Sequence, residues 1–221
     1  MRTALAALFL VLALFAGGMP KAHAADEIKK AHILTFGDSL MAGYGLQPGE
    51  DFASQLQTIM NAEGYNVTVK NASVSGDTTA GGVRRLTWAL QEEPKPDLVI
   101  VGLGANDMLR GLPVDQAEAN LETIISGFSD NGSKVLVAGM KAAPNLGVAY
   151  QSGFSAMYQD LVKYKAGQVN LYPFFLNGVA MDSELNLSDG LHPNAKGIAI
   201  IARSMMPYVV RQLNLEKSQN F

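Results

Sequence analysis

The chain has 221 residues, 48% of them hydrophobic and 17% charged, with a formal charge of −3, which suits one globular domain with a real core. It has no cysteine, which excludes disulfides, thiol catalysis and cysteine-ligated metals. It carries no basic run or basic-aromatic patch, so nucleic acid is not an expected partner.

The chain opens on Met1-Arg2, followed by unbroken apolar sequence over 4–16. Gly17, Gly18 and Pro20 then break any helix, and Ala22-His23-Ala24 is a small-x-small cleavage pattern. The apolar run is short for a membrane span and has the length of a signal-peptide core. Residues 1–24 are therefore expected to be a signal peptide cleaved after Ala24, with 25–221 as a single domain that has no stable membrane insertion. An uncleaved anchor is the alternative. No cysteine follows the site, which excludes a lipoprotein anchor. Export without cysteines fits a bacterial periplasm or the medium. Cleavage would remove Arg2 and Lys21 but no acid, leaving a still more acidic chain.

The first strand is expected over 33–36, running into Gly37-Asp38-Ser39-Leu40 and a glycine-rich loop, 41–45. Asp51 can cap a helix in which Phe52, Leu56, Ile59 and Met60 share one face, ended by Gly64. A second strand is expected over 65–70, then a small-residue loop over 71–77, then a helix with Val83, Leu86 and Leu90 as its stripe. The run 98–103 is apolar on both faces, as a central parallel strand requires. Gly104-Ala105-Asn106-Asp107 reads as its loop, and Pro113 as the first turn of a helix carrying Ala117, Leu121, Ile124 and Phe128. A fourth strand over 135–138, a helical stripe of Phe154, Met157, Tyr158 and Leu161, a fifth strand over 169–172 and a final helix from about Ala195 complete the chain. This alternation is the signature of an α/β fold: a three-layer, doubly wound sandwich around a five-stranded parallel sheet. The order 2-1-3-4-5 would set the loops after strands one, two and three side by side at the switch point.

A serine just past a strand end sits where such sheets hold ligands, but its hydroxyl needs a base, a group to orient the base, and donors for an oxyanion. Beyond residue 24 there are only two histidines. His32 opens the first strand, at the opposite end, and is expected to be structural or solvated. His192 lies in Ser188-Asp189-Gly190-Leu191-His192-Pro193, just before the last helix. Asp189, three residues earlier, can reach its Nδ1–H, which would leave Nε2 free as base. Gly76 can offer a backbone N–H with no Cβ in the way, and Asn106 a side-chain amide. Ser39, Gly76 and Asn106 would surround one point. Each also has a plainer reading: a turn or cap for Ser39, Gly76 and Asp189, a surface position for His192, loop support for Asn106. Asp107 and Arg110 read as a structural pair.

Together, Gly37-Asp38-Ser39-Leu40, Gly76, Gly104-Ala105-Asn106-Asp107 and Asp189-Gly190-Leu191-His192-Pro193 resemble the ordered motifs of the GDSL, or SGNH, hydrolases. The likeness runs over nearly all of 25–221 and is nearest to the bacterial periplasmic thioesterase I, lysophospholipase L1 and arylesterase group, which the segments 71–78 and 172–175 also resemble. Ala105 stands where that group has a second glycine. The resemblance implies the SGNH fold, Ser39 as nucleophile, His192 as base and then acid, and Asp189 as its orienting partner. It also implies an oxyanion hole of Ser39 N–H, Gly76 N–H and Asn106. The substrate would be a small acyl ester or thioester, including lysophospholipids, handled without metal or cofactor by a monomer. The loop after strand four, Lys141-Ala142-Ala143-Pro144-Asn145-Leu146-Gly147, lies at the same edge and is the candidate acyl-contact segment, with Pro144, Asn145 and Leu146 as the expected contacts. Two rivals are a polysaccharide or cell-wall O-acetylesterase of the same fold, and a non-catalytic module holding a phosphate on the Gly43/Gly45 loop. The second leaves Asp189 and His192 unexplained. The absence of a Gly-x-Ser-x-Gly elbow argues against the ordinary α/β-hydrolase fold.

Overall fold

The computed structural model describes residues 29–163 and 167–217. The expected signal peptide lies outside them. Five strands form the sheet: β1 (Ala31–Gly37), β2 (Val67–Asn71), β3 (Leu98–Gly102), β4 (Lys134–Ala138) and β5 (Val169–Tyr172). All neighbours are parallel, as the alternation pattern predicts, and the order is the expected β2-β1-β3-β4-β5. Leu98, Val99, Ile100 and Val101 of β3 are fully buried, because helices cover both faces of the sheet at its centre.

The helices follow from the connections. α2 (Phe52–Ala62) links β1 to β2 in one direction, and α3 (Thr79–Ala89) returns across β1 to β3. Right-handed crossovers put these two on opposite faces. α5 (Val114–Asp130) and α6 (Val148–Asp160) continue outward on the α3 side, while α7 (Ala195–Leu213) packs against α2. The expected stripes are the buried ones: Phe52, Leu56, Ile59 and Met60 of α2, and Ala117, Leu121, Ile124 and Phe128 of α5. Asp51 Oδ1 accepts from Ser54 N–H at 3.2 Å and so caps α2.

Three local expectations shift. The second strand begins at Val67, because Tyr65 N–H is spent on Met60 C=O, closing the turn at Gly64. Pro113 caps α5 from outside the first turn. The segment read as a loop after β3 coils into a short helix, α4 (Ala105–Leu109), entered through Gly104 at φ 113°. Five residues are too few to show a helical period. A long-range contact anchors α4: Asp107 accepts from Thr79 N–H at 2.8 Å and Thr79 Oγ1 at 2.7 Å.

Candidate active site

β1 and β3 are the strands between which the sheet order reverses, and their carboxyl ends open onto one crevice. Gly37 ends β1, where a Cβ would lie 2.9 Å from Gly102 O, so the chain can turn there only without a side chain. Asp38 then caps a one-turn helix, α1 (Ser39–Ala42), accepting from Leu40 N–H at 3.0 Å. The cap presents Ser39 at the head of α1, half-buried at the crevice floor.

His192 arrives from the loop before α7. That loop is held by Leu187 N–H to His192 C=O at 2.7 Å and by the turn at Gly190, φ 67°. His192 Nε2 lies 2.9 Å from Ser39 Oγ, and its Nδ1 lies 2.6 Å from Asp189 Oδ2. Asp189 Oδ1 also accepts from Leu191 N–H at 2.9 Å and His192 N–H at 3.0 Å. The two backbone donors, with the imidazole contact, lower the Asp189 pKa to about 2. An ionised carboxylate only accepts, so Nδ1 carries the proton and Nε2 is left to accept from the Ser39 hydroxyl. The Tyr44 ring lies against the imidazole, centroids 4.6 Å apart.

Gly76 and Asn106 line the same cavity as Ser39 and His192, a space of about 540 Å³. Gly76 sits at φ 82°, and a Cβ there would meet nothing within 4 Å. Its glycine is demanded by the left-handed backbone rather than by crowding. Asn106 Nδ2 donates to Asp77 C=O at 2.9 Å and, at a longer 3.3 Å, to Asp38 Oδ2. Asp38 is 1% exposed. Burial raises its pKa to about 6, against the opposing pull of Leu40 N–H, His192 and Asn106.

Arg85 of α3 ties these loops together. It donates to Gly37 C=O at 2.9 Å, to Ala72 C=O at 2.5 Å and to Asp77 Oδ2 at 2.6 Å, and its guanidinium lies 3.7 Å above the Phe36 ring. The sequence reading missed this residue, since nothing local distinguishes Arg85 from Arg84. The expected Asp107–Arg110 pair is not made: Asp107 serves Thr79, and Arg110 donates to Gly76 C=O at 3.0 Å.

Pro144, Asn145 and Leu146 form a 3-10 turn that does not line the cavity. Pro144 and Asn145 are exposed, and Leu146 packs against the core instead. From that loop Lys141 and Ala143 reach the wall, joined by Met108, Met140, Phe174 and Leu176. The segment carrying Phe174 and Leu176 has no periodicity to mark it in sequence. Gly43 and Gly45 are packing positions: a Cβ on either would lie 2.7 Å from Asp51 Cβ or Leu187 Cδ1. His32 gives its N–H to Asp97 at the far end of the sheet.

A serine, an imidazole and a carboxylate thus stand in series at a sheet switch point, and residues 35–200 match the model of the GDSL-like lipase/acylhydrolase family. The chain belongs to that family, and is a hydrolase acting on ester bonds. It is 39% identical over 181 residues to an arylesterase of Vibrio mimicus, covering 82% of this chain and 89% of the relative. It is 35% identical to thioesterase 1/protease 1/lysophospholipase L1 of Escherichia coli (strain K12), covering 88% of this chain and 86% of that one. The crystal structure of TesA superposes with a TM-score of 0.77 at 37% identity, over 82% of this chain and 99% of that one.

Proposed function

We propose that this hydrolase cleaves carboxylic esters and thioesters by acyl transfer through Ser39. The observation that carries the reading is the unbroken series from Asp189 Oδ2 to His192 to Ser39 Oγ, at 2.6 and 2.9 Å. Ser39 Oγ attacks the acyl carbonyl as its proton passes to His192 Nε2. The imidazolium then protonates the leaving alcohol or thiol oxygen or sulfur, and the C–O or C–S bond breaks. Water enters, gives a proton to the neutral imidazole and attacks the acyl-enzyme. The imidazolium returns that proton to Ser39 Oγ, and the carboxylic acid leaves.

The oxyanion is held by the N–H groups of Ser39 and Gly76 and by the Asn106 amide. Asn106 has both amide hydrogens engaged at rest, so one must be released. The 3.3 Å contact to Asp38 is the weaker and is the one redirected. The apolar wall of Met108, Met140, Phe174 and Leu176 takes the acyl chain. An acetyl group would leave most of about 540 Å³ unfilled, which favours longer chains over an O-acetylesterase. With 1–24 acting as a signal peptide, the reaction takes place in a bacterial periplasm or outside the cell, by a monomer.

The test is Ser39→Ala assayed on p-nitrophenyl esters of two to twelve acyl carbons. We expect a fall of roughly 10³-fold or more in kcat and loss of labelling by a fluorophosphonate. Hydrolysis near the wild-type rate by this variant would end the reading.

A further inference from the structure

Apart from the reacting end, the cavity wall is largely apolar, with Tyr44, Ser75 and Asn186 as uncharged polar residues and Lys141 as a charged one. Of the other charged groups on the wall, Asp38 is buried under Leu40 N–H and Asn106, and His192 is held by Asp189 and Ser39. Lys141 is the only lysine or arginine side chain on that wall among the described residues. Lys70, Arg85 and Lys217 each meet a carboxylate, whereas Lys141 meets none among the described residues. Its ammonium lies 4.7 Å from the centroid of the Phe174 ring, and Phe174 is itself a wall residue. The aromatic face holds the charge at the cavity without neutralising it. On a chain of net charge −3, an uncompensated cation beside a low-dielectric cavity makes a local field that attracts anions.

We propose that Lys141 is a specificity-determining residue that binds a phosphate group carried by the substrate. The proposal rests on the acyl-hydrolase reading above and adds the non-reacting part of the substrate to it. An acyl chain needs only the apolar wall. A lysine placed there serves a molecule whose apolar part fills the cavity and whose phosphate reaches Lys141. Both a lysophospholipid phosphodiester and the phosphates of a nucleotide thioester have this chemistry. In both, the phosphate sits on the leaving-group side, several bonds from the one that breaks, so a contact to it acts equally on ground and transition states and is read in KM.

The experiment has a binding arm and a kinetic arm. In the binding arm, Ser39→Ala protein is titrated with decyl phosphate and with neutral decyl maltoside, with and without Lys141→Met or Lys141→Arg. Methionine keeps most of the apolar stem and removes the charge. We expect Lys141→Met to lower the preference for decyl phosphate about tenfold, the scale of one accessible charge-assisted contact. Lys141→Arg should keep the preference, and added salt should erode it. An unchanged preference in Lys141→Met overturns the proposal. In the kinetic arm, with Ser39 intact, kcat/KM for lysophosphatidylglycerol and for decanoyl-CoA is divided by that for p-nitrophenyl decanoate. A fall of about tenfold in Lys141→Met for one of the two anionic substrates, through KM, supports the proposal and identifies the source of the phosphate. Unchanged ratios for both overturn it. If the intact protein cleaves none of the three, the acyl-hydrolase reading fails, while the binding arm still decides the role of Lys141.

Discussion

Asp189 does two separate jobs with its two oxygens. Oδ1 takes the N–H groups of Leu191 and His192, which shape the loop, and Oδ2 takes the imidazole. Because its pKa is lowered to about 2, the carboxylate stays ionised through any working pH, and loss of activity above pH 4 cannot come from its protonation. Asp189→Asn keeps the size and one acceptor but can present an amide N–H to Nδ1, which favours the wrong tautomer. We expect kcat on p-nitrophenyl butyrate to fall about 10³- to 10⁴-fold, with a much smaller change in thermal midpoint. The pairing of Asp189 with His192 is legible at three residues' spacing within one loop. The double engagement of Asn106 is not, because Asp77 and Asp38 reach it from other segments.

Elements bring these residues into range, and α3 has the largest part among those not named for chemistry. Its Arg85 bonds to the ends of β1 and β2 and to Asp77, whose own C=O receives Asn106. One guanidinium fork satisfies three acceptors that point in different directions, which an ammonium cannot match. Arg85→Lys is expected to lower kcat about 10- to 100-fold while KM moves little, together with a destabilisation of about 1–3 kcal/mol. Steady-state kinetics with a denaturant melt of the same sample checks both. The last helix is fastened in a similar way. A Cβ on Gly197, in the first turn of α7, would collide with Leu185 C=O, so the helix and the segment leading to His192 lie in direct contact. The long helices and strands were readable from the periods of their apolar residues. α4 and the wall around Phe174 were not, since neither is long enough, or regular enough, to carry a period.

At the scale of the whole molecule, the switch-point crevice sets a conflict between site and stability. The buried Asp38 keeps its proton up to about pH 6 in the folded state, against 3.8 for its ordinary value. A raised carboxyl pKa means that the folded state binds the proton more tightly. The stability it contributes is therefore greatest at low pH, falls as pH rises from about 4 to 6, and is absent above that. Asp38→Asn removes the titration. It should stabilise the protein at pH 8 on the order of 3 kcal/mol and give little at pH 4. Thermal midpoints at the two pH values check this, with a gain of at least about 5 °C expected only at the higher one.

What the sequence by itself determined is the layered α/β plan with its strand order, the family motifs, and the residues that stand at the strand ends. The plan, the motifs and the strand ends follow from local periodicity and from spacing along the chain, which any stretch carries within itself, and the strand order came with the fold class they indicate. Only the tertiary structure decided which acceptors hold the Asn106 amide, that Arg85 secures the loops, and that Lys141, Ala143 and Phe174 line the cavity where Pro144, Asn145 and Leu146 do not. Those outcomes depend on side chains from separate segments competing for the same few ångströms, and chain order carries no record of that competition.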